Sequence, residues 1–129
     1  MSEPLTIVPA SGDACRKPRA VLELVARWSL PSAPRSLEAR LFWFTRGKGT
    51  EDAGVVATEL VPAPAAHGEH RVRFTLPEAP YSFSGRLISL IWAVELSADH
   101  TAARWEFVLA PEGREILLRQ AATDAARPR

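Results

Sequence analysis

Apolar residues recur at every second position through most of this chain, and no stretch holds them at helical spacing for the three turns a helix would want. Alternation in twos marks a strand with one face in a core, because successive side chains point to opposite sides of a sheet. Residues 19–30 place Leu22, Leu24, Ala26 and Trp28 on one face and Val21, Glu23, Val25 and Arg27 on the other. Residues 36–47 put Leu37, Ala39, Leu41 and Trp43 together, opposite Glu38, Arg40, Phe42 and Phe44. The cleanest alternation is EHRVRFTL, with His70, Val72, Phe74 and Leu76 facing one way and Glu69, Arg71, Arg73 and Thr75 the other. RLISLIWAVEL turns Ile88, Leu90, Trp92, Val94 and Leu96 inward, and ARWEFVL does the same with Trp105, Phe107 and Leu109. Residues 5–8 and 55–61 read as further strands, and EGREILLR as a last one at an edge.

Turn chemistry separates these runs. PSAPRS, GKGTED, PAPAAHG, LPEAP and ADHT lie between them, drawing on 11 prolines and seven glycines. Proline cannot donate to a ladder, so Pro77 and Pro80 end the strand before them. Seven or eight strands spaced this way predict an all-β, two-sheet antiparallel sandwich.

At 129 residues the chain fits a single domain over residues 1–120, followed by a frayed polar tail, 121–129. Apolar residues make up 47% and charged ones 24%, the composition of a folded globular protein. The 16 basic and 15 acidic residues leave a formal charge of +1, too small to steer a phosphate backbone or an anionic lipid surface. Nucleic acid is therefore not an expected partner, nor is a membrane span expected, since no window approaches ~18 apolar residues. A lone cysteine, Cys15, permits no internal disulfide, and no leader pattern opens the chain, so the cytoplasm is the expected location.

The stretch 68–96 carries more than alternation. A glycine and a histidine lead a strand, then F-x-LP, a short spacer, P-x-SF-x-G, and an I-x-(aromatic)-x-V strand follow. The residues are Gly68, His70, Phe74, Leu76, Pro77, Pro80, Ser82, Phe83, Gly85, Ile88, Trp92 and Val94. This ordered combination resembles the half-domain of the arrestin family. The resemblance implies an immunoglobulin-like sandwich with arrestin-like topology, used for protein–protein interaction, trafficking or scaffolding without catalysis. Arrestins carry two such halves and this chain is long enough for one. Their receptor-binding loop and phosphate-sensing charge cluster find no matching motif here.

Chemistry is sparse. His67, His70 and His100 lack zinc-site spacing, GKGTED lacks the full P-loop pattern, and Ser82 has no identifiable base and orienting acid. The Ser82 hydroxyl is expected to bond to neighbouring backbone in its turn, and neither cofactor nor metal is expected. Four tryptophans raise a second reading, a small-ligand or carbohydrate-binding module, but each shares a face with other apolar residues. The outward residues are more informative: Val25, Phe42, Phe44, Leu87 and Ile91 point away from the core. A bare apolar face calls for a protein interface, a homodimer among the options, or for cover by a loop or the N-terminal segment. The expectation is a non-catalytic interaction or scaffold module using a sheet face or an edge strand.

Overall fold

The computed structural model describes residues 4–10, 15–47, 52–84, 88–110 and 116–117. Ten strands run through them: β1 (Leu5–Pro9), β2 (Cys15–Arg16), β3 (Val21–Ser29), β4 (Glu38–Gly47), β5 (Ala53–Leu60), β6 (His67–Thr75), β7 (Phe83–Ser84), β8 (Ile88–Ser97), β9 (Ala102–Leu109) and β10 (Ile116–Leu117). Seven of them are full strands, and all of these pair antiparallel. The other three are two-residue pieces at the margins.

The smaller sheet has the order β1-β3-β6. In the larger sheet β5, β4 and β8 lie side by side, and the far flank of β8 is shared. β7 pairs with its first half and β9 with its second, while β10 and β2 add short parallel pairings to β7 and β9. Between its full strands the chain crosses from one sheet to the other after β3, after β5 and after β6, as a sandwich with Greek-key-like connections must.

Packing follows the alternation. Leu22, Leu24, Ala26 and Trp28 of β3, Val72 and Phe74 of β6, and Leu5 and Ile7 of β1 form one inner row. They face Ala39 and Leu41 of β4, Leu90, Trp92, Val94 and Leu96 of β8, and Phe107 and Leu109 of β9. Each large aliphatic taken wholly out of water contributes about 1.5–3 kcal/mol, so these rows outweigh every polar contact in the molecule. Leu37, Val61 and Leu76 are also buried, at the ends of strands where the chain changes sheet.

The LPEAP–YSFSG stretch is the third crossover. Trp92, fully buried, donates its indole N–H to the Pro80 carbonyl at 2.6 Å. Ser82, equally buried, donates its backbone N–H to Leu109 O at 2.8 Å, and its Oγ accepts the Leu109 N–H at 2.9 Å. The hydroxyl does bond to backbone, but to β9 and not within its own turn. Sequence spacing identifies a turn and does not identify the strand a turn lies against. Gly85 and Leu87 fall outside the described residues, as does the tail 121–129.

A second loop is held by charge. The Asp99 carboxylate, in the β8–β9 turn, accepts the backbone N–H of Arg35 at 3.0–3.1 Å and that of Ser36 at 3.3 Å. The Arg35 N–H, aided by Ser36, holds the Asp99 carboxyl below the usual aspartate range. A carboxyl with a lowered folded pKa stabilises the fold above its unfolded value and loses that contribution as pH falls through the folded one. Wild-type melting temperature should therefore fall more steeply than that of Asp99→Asn on acidification below the ordinary aspartate range. Parallel pH curves in differential scanning fluorimetry would refute this tie.

Candidate interaction surface

Four of the five outward apolar residues lie among the described residues, and they divide between two faces. Val25 sits on the outer face of the small sheet, between Val8 and Arg71 in register. Its surroundings are ionic: Arg27 meets Glu69 at 2.5 Å, and Glu23 takes Arg73 at 2.8 Å and Arg71 at 3.6 Å. The Arg73 hydrogen bond lowers the Glu23 pKa, though exposed pairs of this kind contribute little to stability.

Phe42, Phe44 and Ile91 do come together, on the outer face of the large sheet. Register places Phe42 beside Ala93 and Phe44 beside Ile91. The two phenylalanine rings stack at 5.8 Å. Arg104 of β9 lies over both, 5.1 Å from the Phe42 centroid and 5.0 Å from that of Phe44, and Arg46 lies 5.3 Å over Phe44. Glu95 and Glu106 hold these guanidinium groups, each at 3.2 Å. The rings are half-buried, and what covers them is a pair of arginine side chains.

Bare apolar surface is found instead on β5. Of the six large hydrophobic side chains exposed among the described residues, three belong to this one strand: Val55 at 59%, Val56 at 43% and Leu60 at 63%. β5 pairs with β4 alone, so its other edge is open among the described residues. Ala53, Val55, Thr58 and Leu60 lie on the outer face beside Phe44, Phe42, Arg40 and Glu38. On the inner face Gly54 lies beneath the Trp43 ring, where an added Cβ would come within 2.5 Å of the indole nitrogen. Glu59, also inward, meets His70 Nε2 of β6 at 2.8 Å and ties the rims of the two sheets together. The register slips between Leu41 and Phe42, leaving Val56 as the extra residue of a β-bulge.

Alternation alone does not single out Val55, Val56 and Leu60, because only the tertiary pairing shows which strand ends a sheet. The available signal was compositional: over eight residues β5 carries one charge, Glu59.

The remaining candidates for chemistry are dispersed. His67 shares a 2.8 Å hydrogen bond with Ser29, His70 serves Glu59, and His100 sits in the β8–β9 turn. Among the described residues no cluster of three or more His, Cys, Asp or Glu is arranged to hold a metal. Trp28 and Trp92 are buried, and Trp43 and Trp105 are half-buried against the core. Trp105 has Phe107 stacked at 5.2 Å and Arg16 at 5.8 Å over its ring. No described helix is long and apolar enough to cross a membrane.

Two antiparallel sheets in this order define an arrestin-like β-sandwich, the fold that residues 68–94 resemble in sequence. Comparison with solved structures agrees. The sporulation control protein Spo0M of Bacillus subtilis superposes with a TM-score of 0.56 at 11% identity, over 81% of this chain. The chain spans about half of Spo0M, 48% of its length. No family model matches the sequence, and neither does any curated protein. At that identity the likeness is one of fold.

Proposed function

We propose that this protein is a non-catalytic interaction or scaffold module that takes protein partners as an added strand on β5. The observation that carries the reading is the concentration of exposed Val55, Val56 and Leu60 on one strand of eight residues whose outer edge is open among the described residues. Unpaired backbone groups along such an edge supply affinity, and alternate side chains of the incoming strand supply selectivity. On the outer face that strand would run beside Val55 and Leu60, with the Phe42–Phe44 stack one strand further in. The arginines above the stack, Arg46 and Arg104, would then border the bound segment. A module of this kind works by holding its partner, and its single cysteine suits the reducing cytoplasm.

Selection of a displayed library of random peptides against the whole chain tests the reading. Expected binders are extended sequences with alternating apolar residues, and Thr58→Pro is expected to abolish their binding with the fold intact. A selection that yields no binders, or only binders indifferent to both Thr58→Pro and Leu60→Lys, would remove the edge from consideration.

A further inference from the structure

The geometry points to a second copy of this chain as an occupant of that edge: β5 pairs antiparallel with β5 of another molecule, joining two large sheets about a twofold axis. The inference rests on β5 being a strand-accepting edge and adds the identity of the strand.

Backbone direction comes first. Thr45 N donates to Asp52 O, so the alternating ladder also bonds Trp43 to Gly54 and turns the N–H and C=O of Ala53 and Val55 outward. At the other end Val61 N donates to Leu37 O. The same alternation then bonds Ala39 to Glu59 and Leu41 to Ala57, leaving Thr58 and Leu60 turned outward. Outward residues are odd-numbered before the bulge at Val56 and even-numbered after it.

That change of parity fixes where a twofold pairing of this strand is centred. Antiparallel self-pairing centred between Val56 and Ala57 joins odd positions to even ones. Ala53 meets the partner's Leu60, and Val55 meets the partner's Thr58. Both members of each pair direct their backbone groups at the other. A regular strand without the bulge would face outward-turned residues with inward-turned ones in this register.

Side chains fit the same register. Leu60 would cover Ala53 next to Phe44, and Thr58 would cover Val55 next to Phe42, all on one outer face. The only charge on the strand, Glu59, would lie opposite Gly54 and never opposite another carboxylate. Other edges are guarded against self-pairing. Midpoint self-pairing of β6 sets Arg71 against Arg71, β1 is five residues long and ends in Pro9, and the far margin of the large sheet carries the two-residue strands β2 and β10.

Size-exclusion chromatography with light scattering over a concentration series, combined with amide hydrogen exchange, tests the inference. The molar mass should rise from one chain to two with concentration, and the amides of Ala53, Val55, Thr58 and Leu60 should slow as it does. Thr58→Pro removes an outward donor without touching the β4–β5 ladder, and Leu60→Lys adds a charge at an already exposed position. Either should hold the mass at one chain. A mass of one chain at every concentration overturns the inference, and so does a dimer that persists in Leu60→Lys or leaves those four amides unprotected. A monomer that still captures selected peptides through β5 refutes the second copy while leaving the edge reading in place. Absence of both dimer and peptide binding refutes the two together.

Discussion

Trp92→Ala should lower the unfolding free energy by about 3–5 kcal/mol, the largest loss from any single side chain in this fold. Three features converge on Trp92. It is the largest fully buried side chain among the described residues, its ring packs 6.1 Å from that of Phe107, and its indole N–H is the partner of the Pro80 carbonyl. Alanine would leave a cavity between the sheets and strip the third crossover of its tie to β8. Trp92→Phe separates the two contributions, because it restores most of the apolar volume and leaves Pro80 O unpaired. That variant should lose about 1–3 kcal/mol, the cost of an unsatisfied buried polar group. Urea titrations followed by circular dichroism, with unchanged m-values, provide the measurement. Equal losses in the two variants would show that the indole bond, and not the packing, dominates at this position.

Gly68→Ala should destabilise the protein by about 1–2 kcal/mol, against the usual sign for a glycine inside a strand. Replacing such a glycine ordinarily gains about 0.5–1 kcal/mol by limiting the freedom of the unfolded chain. Here register places Gly68 opposite Trp28, and an added Cβ would lie 2.5 Å from Cζ2 of the indole. The ring cannot readily give way, because it is buried and its Nε1 donates to Ala65 O at 2.9 Å. Overpacking a fixed ring costs about 1–3 kcal/mol and outweighs the backbone gain. In a Trp28→Leu background the penalty should vanish, giving a coupling of about 1 kcal/mol or more in a double-mutant cycle. Gly54→Ala, beneath the half-buried Trp43, should cost less than Gly68→Ala, because that ring has solvent to swing into. A Gly68→Ala chain as stable as wild type in urea would mean that Trp28 does not rest on this backbone.

The two Trp–Gly pairs show how far a sequence reading reaches. Gly68 was legible as the head of the β6 strand within an arrestin-like pattern, and Trp28 as a core residue of β3. Nothing in their spacing says that one lies on the other, since 39 intervening residues carry the chain through both sheets before β6 returns to β3. Likewise alternation places Phe42 and Phe44 on the face of their strand opposite Leu41 and Trp43. Their cover by Arg104 was not legible, because β9 reaches β4 only across β8, and neither Arg104 nor Arg46 differs in sequence from any other exposed arginine.

Which residues face inward was determined by the sequence itself, because the pleat gives side chains a period of two and burial rewards a single phase. The inner rows of β3, β4, β6, β8 and β9 therefore fall where the alternation places them. Proline and glycine likewise set where strands stop. What only the tertiary structure decided is which long strand ends the large sheet among the described residues. Pairing order depends on contacts between residues far apart in the chain, and it assigns the edge to β5, a strand whose own pattern is among the plainest. Its bulge at Val56 arises from the register of β4 against β5, and that slip sets which backbone groups of the edge face outward.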